Sequence, residues 1–117
     1  MANLTVTPGS VVVDGTRTTT TIYAKLTVTG SYPGSNGDIF DPAALFPQYK
    51  SAPKLPIMVE VEGSGDWSFV YVPGATLGAG KLKVLVTSTG AEHATAAYNA
   101  GITGDTNIYV RIVAFKA

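Results

Sequence analysis

The sequence predicts an all-β domain, a jelly-roll-like β-sandwich of about seven or eight antiparallel strands, with an extended N-terminal arm over residues 1–20 and one short helix near residues 91–100. Three observations carry this prediction. Apolar residues occupy nearly every second position from Pro56 to Thr87 and again from Asn107 to Phe115, the period that puts one face of an extended strand into a core. Gly- and Pro-containing turns separate these runs, as a series of short strands requires. The 117 residues include no cysteine, so packing and hydrogen bonds hold the fold and no thiolate chemistry is available. A chain of this length makes about one domain, able to bury roughly two-thirds of the surface exposed when unfolded.

The first twenty residues hold two short apolar runs, Leu4 to Val6 and Val11 to Val13, divided by Pro8-Gly9 and followed by a threonine tract. Branching at Cβ favours extended backbone here, which predicts an arm with one or two short strands ahead of a sandwich spanning residues 21–117. An arm of this kind should be removable to residue 18 without unfolding the sandwich. Residues 21–29 form the clearest strand, with Ile22, Ala24, Leu26 and Val28 facing one way and Tyr23, Lys25 and Thr27 the other. From Ser31 to Pro56 five prolines and two glycines break the period. That segment reads as a long ordered loop with a helical turn near Asp41 to Phe46, and its four aromatics, Tyr32, Phe40, Phe46 and Tyr49, argue against disorder. Ile57, Val59 and Val61 alternate with Met58, Glu60 and Glu62, and after Gly63-Ser64-Gly65 the residues Trp67, Phe69 and Tyr71 alternate with Ser68, Val70 and Val72, a pattern that predicts a hairpin. Leu82, Val84 and Val86 extend it to a three-stranded meander. Thr89-Gly90-Ala91-Glu92 matches a capping box before an alanine-rich stretch ending at Gly101, the basis for the helix near residues 91–100. The last strand runs through Ile108, Val110, Ile112 and Ala114, with Tyr109, Arg111, Val113 and Phe115 on its other face.

Composition narrows function. Formal net charge is zero, and charged residues make up 14% of the chain against a typical share of about 25%. Such a surface offers no steering toward nucleic acid or an anionic membrane and little protection against self-association. Lys81 with Lys83 is the sole tight basic pair. The opening residues carry no basic region and apolar run of a secretory signal, and no apolar stretch approaches the ~20 residues that cross a bilayer, so synthesis in a cytosol without export is expected. Asn3-Leu4-Thr5 matches a glycosylation acceptor that is irrelevant without secretion.

The chemistry-bearing residues each have a plainer reading. His93, the one imidazole, could be a general base, yet only Glu92 accompanies it, and a solvent-facing histidine is the commoner case. Gly63-Ser64-Gly65 fits a turn better than a nucleophile elbow. Asn36, Asp38 and Asp41 offer calcium too thin a shell for an ion that takes about six to eight ligands, and turn-forming roles suit them better. Glu60 and Glu62 share a strand face as paired carboxylates would, or as a solvated face does. The Gly74 to Gly80 run leads into Lys81 without the Ser or Thr of a P-loop. Trp67, Phe69 and Tyr71 could stack on sugars or bases, but such a stripe is more often core, with Tyr71 the one placed to reach an edge. No catalytic, cofactor-binding or metal-ligating residue is assigned, and no small-molecule substrate is expected. The most distinctive feature is the last strand, apolar on both faces, which implies a cover on each side.

The order Tyr32-Pro33-Gly34-Ser35-Asn36-Gly37-Asp38 to Phe46, Pro56 to Val61, Trp67 to Gly74, Gly80-Lys81-Leu82-Lys83-Val84 and a final Ala114-Phe115-Lys116 resembles the small auxiliary head proteins of tailed bacteriophages, the cement or decoration proteins. The opening Met1 to Pro8 is similar to the start of some of them. The resemblance implies a non-catalytic jelly-roll-like protein that is made in the host cytoplasm, resides on the capsid surface of the virion and stabilises the shell. It implies the major capsid protein as partner and a homo-oligomer, dimer or trimer, as the working form. Contact residues are then expected in the arm (Leu4, Val6, Val11, Val13), the long loop (Tyr32, Phe40, Phe46) and the last strand (Tyr109, Arg111, Val113, Phe115). The alternative is a carbohydrate- or receptor-binding module of a phage particle using Trp67, Tyr71 or Tyr32. A small hydrolase would require His93.

Overall fold

The computed structural model describes residues 3–34, 37–51 and 54–116. Eight strands and two single-turn helices are present among them. In chain order these are β1 (Leu4–Val6), β2 (Val12–Gly15), β3 (Thr19–Val28), β4 (Asp38–Ile39), α1 (Pro42–Leu45), β5 (Met58–Val61), β6 (Trp67–Val72), β7 (Lys81–Val86), α2 (Ala100–Thr103) and β8 (Ile108–Phe115). They form two antiparallel sheets. The larger runs β1, β3, β8, β5, with β2 also paired to β3, and the smaller runs β4, β7, β6. The pairing is nested. β3 lies against β8 and β4 against β7, and the roll that follows brings β5 to the other side of β8 and β6 to the other side of β7. This is the order of a shortened jelly roll, as expected of an all-β sandwich with this alternation.

The core lies between the sheets. Its main wall is the inward side of β3 and β8, where Ile22, Ala24, Leu26 and Val28 meet Ile108, Val110, Ile112 and Ala114, and Phe69, Leu82 and Val84 close it from the smaller sheet. Side chains alternate with period two, so the β3–β8 register, Thr19 opposite Phe115 through Leu26 opposite Ile108, directs one set of residues inward and the other to the outside.

Four expectations change. The first twenty residues are extended, but they are built into the sheet: Leu4, Thr5 and Val6 pair with Val28, Thr27 and Leu26, and β2 pairs with residues 20–23 of β3. The boundary drawn at residue 20 therefore falls inside β3. β5 and β6 are not a hairpin. β5 belongs to the larger sheet and β6 to the smaller, and Ser64 and Trp67, each amide donating to the other's carbonyl at 2.9 Å, close the turn by which the chain changes sheets. The meander is reduced to the β6–β7 pair. The helix expected near residues 91–100 does not form over residues 91–99. Thr89 Oγ1 accepts from the Ala91 amide, but residues 91–93 then run back along β7, with the Val86 amide donating to Ala91 and the His93 amide to Val84. Backbone partners on β7 displace the capping box, and the helical turn comes later, at Ala100–Thr103, capped by the Asn99 side chain accepting from Gly101.

The long loop is ordered where it is described and contains β4 and α1. Asp41 caps α1 by accepting from the Ala43 amide, with Pro42 in the first turn, the arrangement that a helix start favours. The loop's aromatics supply core: Tyr32, Phe40 and Phe46 are 0% exposed.

Two outcomes follow for stability. Ile112→Ala, at a fully buried site on β8, is expected to cost about 2–5 kcal/mol, whereas Tyr109→Ala on the other face of the same strand should cost under ~1 kcal/mol; chemical denaturation of the two variants separates them. Deletion of residues 1–18 removes β1, β2 and the buried Leu4, so the truncated chain should lose cooperative thermal unfolding, and a melt like that of the full chain would show that these strands are dispensable.

Candidate interaction surface

The outward positions of the larger sheet come from four strands held in register. Val12 of β2 lies beside Tyr23 of β3, Tyr23 beside Arg111 of β8, and Arg111 beside Glu60 of β5. One step along, Asp14, Thr21, Val113 and Met58 form a parallel row. Lys25 with Tyr109, and Thr19 with Phe115, complete the ends. Large apolar side chains on this face remain open to solvent, with Val12 60%, Tyr109 48% and Phe115 54% exposed and Tyr23 and Met58 each 41%. An apolar group left in water forfeits about 25 cal/mol per Å² relative to its burial, and such residues gathered on one face mark an interaction surface.

Both cations of this face have partners within it. The Arg111 guanidinium donates to the Glu60 carboxylate, whose hydrogen bond and negative charge raise the guanidinium's pKa further above its ordinary value. The Lys25 ammonium lies 5.4 Å from the centre of the Tyr109 ring, within cation–π range. A shallow depression of about 360 Å³ lies between Tyr23, Tyr109, Arg111 and Glu60.

The expected contact residues divide into three groups. Tyr109, Arg111, Val113 and Phe115 do share the outward face of β8. Val13 is exposed at the sheet edge, while Val6 and Val11 pack partly against the core. Leu4, Tyr32, Phe40 and Phe46 are core residues and offer no contact surface. A pattern of turns and aromatics cannot separate an aromatic that anchors a loop from one that projects, because both need the same residue types. Val12, Tyr23 and Met58 belong to the face and were not among the expected contacts. Their alternation opposite inward Ile22, Ala24 and Val59 was the available signal.

The remaining candidates serve the fold. His93 is buried, not solvent-facing. Its ring lies 4.8 Å from that of Trp67, 5.3 Å from Tyr32 and 5.5 Å from Tyr98. The Asn99 amide donates to Nε2 at 3.2 Å, and Nδ1 lies 2.6 Å from the Ala94 carbonyl, so both nitrogens are engaged and the Nδ1–H tautomer is fixed. Asp38 is likewise buried. One oxygen accepts from Asn3 Nδ2 at 2.9 Å and from the Tyr98 hydroxyl at 2.7 Å, and the other accepts from the Ile39 amide. Asp41 caps α1, and Asn36 lies outside the described residues. Ser64 donates to Asp105 at 2.6 Å; this bond and the Asn107 amide hold the Asp105 carboxyl below its usual pKa range. Glu62 is exposed and continues the outward face, its amide donating to the Tyr109 carbonyl, and the Gly74 to Gly80 run contains a 3₁₀ turn at Leu77–Ala79. Gly80 passes close against the hydroxyl edge of Tyr71, where a Cβ would meet the phenol at under 3 Å.

Trp67, Phe69 and Tyr71 point inward. Phe69 is buried and the other two pack against the core. The Tyr71 ring meets Phe40 edge to face at 5.7 Å, and its hydroxyl does not reach water: it is buried without a hydrogen-bond partner among the described residues. None of the three, nor Tyr32, presents the open platform that a glycan would stack on.

Buried phenols give the protein an alkaline limit. Burial, reinforced by the bond to Asp38, raises the Tyr98 pKa, and burial with the 2.5 Å bond to Glu92 does the same for Tyr32. Burial pushes Tyr49, which donates to the Lys54 carbonyl at 2.6 Å, up to about 12. An unfolded phenol ionises near ~10, so the folded state binds more protons above that pH and stability falls as pH rises. The denaturant midpoint should hold steady up to about pH 9 and fall between about pH 10 and 12, less steeply in Tyr98→Phe; an unchanged midpoint across that window would contradict the burial of these hydroxyls.

No family profile, curated protein or solved structure matches the chain, so its function is argued from this surface.

Proposed function

We propose that the chain is a non-catalytic structural protein of a virion, a cement or decoration protein that binds the major capsid shell and stabilises it. The observation that carries the reading is the outward face of the larger sheet, where Val12, Tyr23, Met58, Tyr109 and Phe115 stand open to solvent on a rigid four-strand platform. A surface of this kind is suited to being covered by protein. Two further features fit the role. A chain with zero formal net charge can pack in many neighbouring copies without mutual repulsion, and many copies on one shell convert modest contacts into firm attachment. The resemblance to auxiliary head proteins supplies the identity of the shell.

The role is tested by sedimenting the purified chain with empty shells assembled from the major capsid protein of the same genome. Saturable pelleting is expected, with the temperature of shell disruption raised when the protein is bound. A chain that stays in the supernatant at every ratio, with shells no more heat-resistant for its presence, would exclude the role.

A further inference from the structure

We infer that the free edge of β6 takes a strand from another protein: an extended segment antiparallel to β6, apolar on the side turned to the core and acidic on the side turned out. The site goes beyond the structural reading above and rests on it only in naming the shell protein as the source of that segment.

The hydrogen-bond phase of the smaller sheet shows which groups lie open. On one side of β7 the Gly80 and Val84 carbonyls accept from the Phe40 and His93 amides, and the Val86 amide donates to Ala91. Backbone groups alternate between the two sides of a strand, so Lys81, Lys83 and Leu85 direct theirs to β6. Their opposites Val72, Val70 and Ser68 direct theirs to β7, in phase with the Asp66 carbonyl, which accepts from the Thr87 amide at 2.6 Å. The amides and carbonyls of Phe69 and Tyr71 therefore point away from β7, past the end of the sheet, and no strand among the described residues pairs with them. Trp67, at the start of β6, is closed by Ser64.

This edge is also unguarded. Edges that stay bare in solution are short, charged or otherwise blunted. β1 has three residues and β4 two, with the Ile39 amide on β4 closed by the Asp38 side chain. β2 carries Asp14, and β5 carries Glu60. The six residues of β6, from Trp67 to Val72, include no charge, proline or glycine, the composition that recruits a further strand most readily. A complete jelly roll supplies that strand itself, through one more hairpin between the strands here numbered β6 and β7. This chain crosses between them with a 3₁₀ turn instead.

The surroundings specify the segment. Val59, Val61, Trp67 and Tyr71 along the β5–β6 margin are only partly buried, and alternate residues of an added strand would cover them, which calls for apolar groups. Its other residues would lie beside Ser68, Val70 and Val72. On that outer side Lys83 stands opposite Val70, and the outward positions of β4, β6 and β7 hold no carboxylate, which calls for acid. A second copy offering its own β6 would bring the same lysine-bearing face and no acid.

Hydrogen exchange reads the edge directly. In the wild-type chain the Phe69 and Tyr71 amides are expected to exchange at least about tenfold faster than those of Ser68 and Val70. In an added antiparallel strand the residue opposite Val70 forms a non-hydrogen-bonded pair with it, Cα atoms about 4.5 Å apart, within disulfide reach. The chain has no cysteine and Val70 is 45% exposed, so Val70→Cys can be joined to the capped peptide Val-Glu-Val-Cys-Val-Glu-Val. Joining is expected to slow exchange at Phe69 and Tyr71 at least about tenfold. The same peptide with proline on both sides of its cysteine lacks the two amides that would donate to β6 and should protect them far less. Slow exchange of Phe69 and Tyr71 in the wild-type chain, or equal protection by the two peptides, overturns the inference and leaves the capsid role untouched. Protection that grows with the concentration of the wild-type chain gives the edge to a second copy and overturns it as well. On shells of the major capsid protein, the bound wild-type chain should gain the same protection. Shells that bind but leave these amides open overturn the inference and keep the role. A chain that accepts the tethered peptide but ignores shells keeps the edge site and removes the capsid role.

Discussion

The antiparallel register between β3 and β8 is the constraint on which the rest of the molecule depends. Eight residue pairs fix it, and because side chains alternate, the same hydrogen bonds decide both what is core and what is surface. A slip of one residue would turn Ile22, Leu26, Ile108 and Ile112 to water and bring Tyr23, Lys25, Tyr109 and Arg111 into the interior, where two cations would have to be desolvated. The burial of the first set therefore enforces the exposure of the second. The outward patch is thus positioned by the most strongly determined part of the fold, although its own residues contribute little to stability.

A second device closes the sandwich at its opposite margin. The Asp38 carboxylate accepts from the Asn3 side chain ahead of β1, from the Ile39 amide on β4 and from the Tyr98 hydroxyl beyond the β7 bridge. Those donors come from three distant parts of the chain, two of them adjoining edge strands of different sheets. A buried carboxylate that accepts from three donors has its polar atoms satisfied in the interior, and its geometry ties these segments together. The neighbouring cluster of Tyr32, Tyr98, His93 and Trp67 fills the space beneath, with each polar atom of His93 bonded to backbone. Polar groups that looked like material for chemistry are in this way consumed by structure.

What the sequence made legible follows from period. Strict alternation revealed β3, β5, β6, β7 and β8 and assigned both faces of β8 correctly, because burial on one side leaves a plain mark at every second residue. The cap at Asp41 was legible for the same local reason: Asp followed by Pro presets a helix start. Non-local competition was not legible. The stretch after Thr89 has a good local helix signal, but the free backbone of β7 offered better partners. The turn at Gly63 to Gly65 joins two strands as a hairpin would, and only the identity of the strands alongside, β8 for one and β7 for the other, shows that it crosses between sheets. The loop aromatics were ambiguous for a different reason, since a small domain with no disulfide needs large side chains to hold a long connection in place, and an interface needs the same ones.

The position of the single tryptophan has a practical consequence. Trp67 opens β6 at the turn between the two sheets, and its indole rests against His93, which is fastened by its neighbours on the return path along β7. Its fluorescence thus reports on the meeting of the smaller sheet with that return path, on the opposite side of the core from the exposed face of β8. Emission that stays constant while the outer face is substituted or occupied would mean that the interior has not been disturbed, so the chain carries an internal reference signal against which events at its surface can be read.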